Sequence, residues 1–180
     1  MWVQEIDSDW TLFLDRDGVI NQRNFNGYIT SVETFHFTPY FLDSIPILTN
    51  IFGKIIVVTN QQGVAKGEMS IDKLHEIHSY MKQAIQKHGG KINHVLSATN
   101  LKNTINDRRK PLPNMAFEAK KIFPTIDFTK SVMIGDTNSD ILFGNNLGMK
   151  TILLKSTEQI TVKADLEINN FNELKSILQQ

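Results

Sequence analysis

Apolar residues gather in short, nearly unbroken runs at 11–14, 55–58, 92–97, 131–134 and 151–154. Their length and their content of Val, Ile and Leu suit strands buried on both faces. Between the runs the apolar period changes. Ile71, Leu74, Ile77, Met81 and Ile85 recur at three- and four-residue spacing, with Ser70 placed to cap and Gly89-Gly90 to stop, which predicts a helix. Pro39 opens another, to about Asn50, in which Pro46 is expected to produce a kink or a break. Helices are also predicted over 113–123, with Met115, Phe117, Ala119 and Ile122 partly buried, over 138–146, ended by Gly148, and over 172–178. Residues 22–34 read as a polar loop turning at Gly27, and 35–37 as a short strand-like piece. Strands alternating with helices imply an α/β fold: a doubly wound, mostly parallel sheet with right-handed crossovers.

The polar residues that end these runs carry the chemistry. The first run ends in Asp15-Arg16-Asp17-Gly18-Val19-Ile20-Asn21. Two carboxylates two residues apart at a strand exit can converge, and such closeness is costly unless a cation or a proton separates them. A divalent metal, with one carboxylate left to attack an electrophile, accounts for the pattern; the bland alternative is a polar turn. The second run ends in Thr59-Asn60-Gln61-Gln62-Gly63-Val64-Ala65-Lys66-Gly67, and 131–134 ends in Gly135-Asp136-Thr137-Asn138-Ser139-Asp140. Between them lies Arg109-Lys110-Pro111. Ligands of open α/β sheets bind beyond the carboxyl ends of strands, where all these groups are expected.

In these segments the chain resembles the haloacid dehalogenase (HAD) superfamily of phosphohydrolases. Its four ordered motifs match Asp15 to Gly18, Thr59, Lys110, and Gly135 to Asp140. D-R-D-G-V-I-N, T-N-Q-x-G-V-A-K-G and R-K-P-x-P look like the branch of D-glycero-D-manno-heptose-1,7-bisphosphate phosphatases and histidinol-phosphatases. The resemblance implies a HAD-like Rossmannoid fold and a Mg²⁺-dependent phosphomonoesterase acting on a small phosphorylated metabolite. A sugar phosphate such as heptose bisphosphate comes first and histidinol phosphate is the near alternative.

The implied roles are specific. Asp15 is the nucleophile that forms an aspartyl-phosphate, and Asp17 is the acid for the leaving oxygen and later the base for water. Mg²⁺ would be held by Asp15, the Asp17 carbonyl and Asp136, with Asp140 supporting Asp136 and Lys110 or binding through water. Thr59 and Asn60 would offer a hydroxyl and a backbone N–H to phosphoryl oxygens. Lys110 supplies positive charge, and Arg109 contacts substrate beyond the transferred phosphate. His75 and His78 read as surface or helix-edge residues. Arg23, Asn24, Asn26 and Tyr28, taken singly, read as a solvated turn that could border the site.

Length and composition narrow the context. With 180 residues, one domain over 1–180 is expected. Neither 15–59 nor 59–110 has room for a separate folded lid, which needs at least about 50 further residues. A capless enzyme is expected, bordered only by loops 22–34, 61–69 and 98–109. Nineteen basic residues balance nineteen acidic ones, which counts against nucleic acid as a partner. No apolar run could cross a bilayer, and the amino terminus does not read as a signal peptide. A cytoplasmic monomer without a membrane association is expected.

The chain has no cysteine. Many members of this branch hold a structural zinc before Arg-Lys-Pro as C-x-H, a gap, then C-x-C. The corresponding positions here are Ala98, Asn100, Asn106 and Arg108, so no thiolate-held zinc is expected. The segment should be a loop held by hydrogen bonds. Asn114 also replaces a glycine usual in the branch. Two further readings remain at this stage: transfer of the phosphoryl group to an acceptor alcohol, and a non-catalytic binding module on the same fold.

Overall fold

The computed structural model describes residues 2–179. Six strands form one sheet: β1 (Thr11–Leu14), β2 (Lys54–Asn60), β3 (His94–Ala98), β4 (Ser131–Gly135), β5 (Lys150–Leu154) and β6 (Leu166–Ile168). Their spatial order is β3-β2-β1-β4-β5-β6, with every neighbouring pair parallel. Among the described residues five α-helices accompany them: α1 (Phe41–Ile51), α2 (Ile71–Lys87), α3 (Asn114–Ile122), α4 (Asn138–Leu147) and α5 (Phe171–Leu178).

Alternation along the strands builds a core on each face. Leu12, Leu14, Ile55, Val57, Val132 and Ile134 join Phe41, Ile45 and Leu48 of α1, Leu74, Ile77 and Met81 of α2, and Phe171 of α5. Phe13, Ile56, Val58 and Met133 point the other way, against Met115, Ala116 and Ala119 of α3 and Phe143 of α4. Both faces being covered explains why the strand sequences are apolar throughout rather than alternating. Among the described residues, no helix is long and apolar enough to cross a membrane.

Several boundaries differ from expectation for physical reasons. α1 starts at Phe41 because Tyr40 lies at φ 64°, and it runs through Pro46 without a break. The 35–37 segment makes a single bridge, Phe37 to Asn21, instead of a strand. Phe117 and Ile122 are about half exposed, because α3 turns only Met115, Ala116 and Ala119 to the sheet. His78 is buried rather than at the surface. It follows Leu74 by four residues and precedes Met81 by three, which puts it on the buried stripe of α2.

The chain runs outward from β1 to β2 and β3, then returns to add β4 on the other side of β1. That reversal makes a switch point between the carboxyl ends of β1 and β4, where open α/β sheets place their ligands.

Candidate active site

Asp15 and Asp136 follow β1 and β4, so the switch point brings together two carboxylates from distant segments. The register is fixed by Leu14 beside Ile134 and by the Asp15 amide donating to the Ile134 carbonyl at 3.0 Å. Two glycines allow the crowding. Gly18, at φ 97°, lies so close that a Cβ there would sit 2.1 Å from Asp136 Oδ2, and a Cβ on Gly135 would sit 2.0 Å from Asp140 Cβ. Asp15, Asp136 and Asp140 each offer an oxygen within 4.8 Å of the others.

Lys110 arrives from a loop and is almost fully buried. Its Nζ donates at 2.7 Å to each of Asp15 Oδ1, Asp140 Oδ1 and the Val58 carbonyl. Burial opposes the ammonium charge, but Asp140 and Asp15 outweigh it and raise its pKa. Asn60 fixes the lysine backbone from both sides: its Oδ1 accepts from the Lys110 amide and its Nδ2 donates to the Lys110 carbonyl. Asp140 has little left for a metal. Its Oδ1 takes Lys110, while its Oδ2 accepts from the amides of Asp136 and Thr137 and from the Thr137 hydroxyl in a capping box for α4.

The carboxylates differ in charge state. Burial pushes Asp15 up to about 6, against the pull of Lys110 and with a push from Asp140 and Asp17. Asp136 is pushed up to about 8 by burial and by Asp15, against Arg23. Burial also opposes the charge of Asp17, but Arg16, Asn21 and Gln61 prevail and hold its carboxyl below the usual range. Arg16, fully buried, donates from Nη2 to both Asp17 oxygens at 2.9 and 3.0 Å, and its Nη1 meets His78 Nε2 at 3.2 Å. Burial and the Arg16 charge push His78 down to about 3, so its ring is neutral.

A cleft of about 300 Å³ opens over these groups. Asp15, Asp17, Asn60, Arg109, Lys110 and Asp140 line it, as do Arg23, Asn24 and Tyr28 of the first loop. Asn26 does not, and Thr59 is buried behind the cleft, where its hydroxyl accepts from Gln61 Nε2. Loop 61–69 supplies support instead of a border: Gly63 packs against the Tyr28 ring and Lys66 stacks over it at 5.6 Å. Thr137 and Ser139 of the polar run after β4 line the cleft as well, and so does Glu158, which was not expected there. Asp107 organises the 98–109 loop, accepting from the amides of Asn103 and Arg109, and Arg108 pairs with Glu118. The Arg109 guanidinium makes no ion pair with a described residue.

Sequence reasoning missed Arg16 and Gln61. Gln61 Nε2 bridges Asp17 Oδ2 at 2.7 Å and Thr59 Oγ1 at 2.8 Å. A turn-like Thr-Asn-Gln-Gln-Gly gave no sign that this amide faces inward.

Comparison with known proteins places the chain. A HAD-hydrolase-like family model matches residues 107–172. The D-glycero-alpha-D-manno-heptose-1,7-bisphosphate 7-phosphatase of Burkholderia mallei is 33% identical over 173 residues, covering 88% of this chain and 88% of its own. The D-glycero-beta-D-manno-heptose-1,7-bisphosphate 7-phosphatase of Rhodopseudomonas palustris is 32% identical over 136 residues, covering 72% and 74%. The crystal structure of D,D-heptose 1,7-bisphosphate phosphatase from B. bronchiseptica, complexed with magnesium and phosphate, shares the fold with TM-score 0.85 at 23% identity. That match covers 95% of this chain and 98% of its counterpart.

Proposed function

This chain belongs to the HAD-like phosphatases, in the family of the D-glycero-D-manno-heptose-1,7-bisphosphate 7-phosphatases, and from that premise we propose how it works and on what. The substrate is a small phosphorylated sugar, with a heptose 1,7-bisphosphate first. Relatives are named for both the alpha and the beta anomer. The observation that carries the reading is the meeting of Asp15, Asp136 and Lys110 at the switch point.

The acidic group fits a hard divalent cation. Its donors are all oxygens, and Asp136 Oδ2 is buried without a hydrogen-bond partner. Asp15, the Asp17 carbonyl and Asp136 would hold Mg²⁺, which when bound would neutralise charge on the transferring phosphoryl group. Asp140 is assigned instead to Lys110 and the start of α4.

Asp15 attacks phosphorus, and the phosphate–sugar bond breaks to leave an aspartyl-phosphate and the sugar hydroxyl. Lys110 holds the Asp15 carboxylate in one orientation and balances its charge. Asp17 then takes a proton from the water that hydrolyses the intermediate, a task suited to a carboxylate kept ionised by Arg16, Asn21 and Gln61. Its acid role in the first half requires a proton that these contacts disfavour. An arriving phosphate dianion favours that proton again, because a nearby like charge raises a carboxylate's affinity for it. Arg109 meets the non-transferred phosphate, and Thr59, screened from the cleft, holds Gln61 in place.

The test is a panel of sugar phosphates and histidinol phosphate assayed with Mg²⁺, beside Asp15→Asn. Heptose bisphosphate should give the highest kcat/KM, and the folded variant should lose about a thousandfold or more. Full activity in that variant would end the covalent mechanism.

A further inference from the structure

Arg23 comes from the loop after β1, yet its guanidinium reaches Asp136 of the acidic group. Its Nη2 donates at 2.9 Å to Asp136 Oδ1 and at 3.1 Å to the backbone carbonyl of Asp17. The Asp17 carbonyl and the Asp136 carboxyl group are both assigned above to the divalent cation, although the partnerless oxygen of Asp136 is Oδ2. A single guanidinium nitrogen therefore bridges the carboxyl ends of β1 and β4. The fit is incomplete on both sides. Arg23 Nε is buried with no partner, as is Asp136 Oδ2. An arginine placed solely to hold the fold would be expected to satisfy its five donors. Its outer nitrogen, Nη1, lies 3.4 Å from Glu158 Oε1 at the cleft wall, so a second anion stands beside it.

We propose that Arg23 is an internal cation that competes with Mg²⁺ for Asp136 and the Asp17 carbonyl, so that metal binding and release of Arg23 into the cleft are one event. The proposal rests on the metal assignment made above. The Asp17 carbonyl cannot serve a guanidinium and a metal in the same place, and both cations are drawn by the charge of the one Asp136 carboxylate. Released, Arg23 stays among the residues that line the cleft, within reach of Glu158. The metal then liberates a positive group where an anionic substrate arrives, which makes Arg23 a positioning residue whose location depends on the metal.

Calorimetric titration of Mg²⁺ into the protein at about pH 9, where protons compete little for the carboxylates, reads the competition directly. Arg23→Gln removes a charge-assisted contact that must otherwise be broken, so its Mg²⁺ affinity should rise about tenfold or more. Asp136→Asn should abolish binding. Unchanged or weaker affinity in Arg23→Gln, with binding lost in Asp136→Asn, overturns the competition and leaves the metal site standing. Binding that survives in Asp136→Asn overturns the metal assignment and the competition with it. A second readout uses wild-type protein with ¹⁵N-labelled arginine. The Arg23 side-chain resonance, identified by its loss in Arg23→Gln, should shift as Mg²⁺ saturates; a resonance that stays in place refutes the release.

Discussion

Replacing Lys110 with Met removes one charge from a tightly paired, buried cluster. The ammonium touches three acceptors at 2.7 Å, two of them buried carboxylates, and its side chain is 1% exposed. Met is of similar length and fills the channel without a large cavity. The loss is therefore electrostatic: Asp15 and Asp140 stay buried without their shared partner. Breaking a buried pair by removing one member costs about 3–5 kcal/mol. Protonation limits that cost. Asp15 is already raised to about 6, and Lys110 is the strongest influence holding it down. Without Lys110 its folded-state pKa rises further above the unfolded value. A raised folded pKa gives stability at low pH that is lost as pH climbs. The penalty should thus be modest near about pH 5 and grow by on the order of 2 kcal/mol by about pH 8. Urea denaturation of both proteins in EDTA at the two pH values measures it. A penalty below about 1 kcal/mol at the higher pH, or one equal at both, would refute the role given to the cluster.

Two other expectations follow from the same geometry. Gly18→Ala must leave a φ of 97° or push Asp136 aside, and should cost about 1–3 kcal/mol in urea denaturation while lowering Mg²⁺ affinity; a variant with wild-type affinity would show that the close approach is not needed. Asp15 and Asp136 have folded pKa values of about 6 and about 8, both above the unfolded range, so they stabilise the metal-free protein most below about pH 4. That contribution fades as pH rises through their folded values. Urea midpoints in EDTA should fall between about pH 5 and pH 9, and saturating Mg²⁺ should reverse the trend; a midpoint that climbs with pH in EDTA would contradict the shifts.

The parts read correctly from sequence were those written in local patterns. Apolar runs closed by Asp15 and Gly135-Asp136 announce buried strands with polar exits, and Ser70 caps α2 by accepting from the Lys73 amide as its position suggests. What escaped was set by partners far along the chain. Arg23 lies in an aperiodic polar loop, and its carboxylate partner is 113 residues away. Gln61 looks like a turn residue until Asp17 is placed opposite it. β6 has three residues and alternates poorly, so only its pairing with β5 reveals it. His78 was recoverable: the helical period that marked Leu74 and Met81 also marks position 78, but a polar residue type masked it.

The position of β1 in the middle of the sheet bears on how the protein becomes active during its synthesis. β2 emerges soon after β1 and covers one flank, but the other waits for β4, whose Ile134 must pair with Leu14 across most of the chain. Until then a nascent polypeptide can already carry Asp15, Thr59 and Lys110 and still lack the wall that turns them into a phosphatase. Pairings between such remote segments close slowly. On the ribosome, completion of the cleft is therefore tied to a late zippering step and not to the appearance of Asp15.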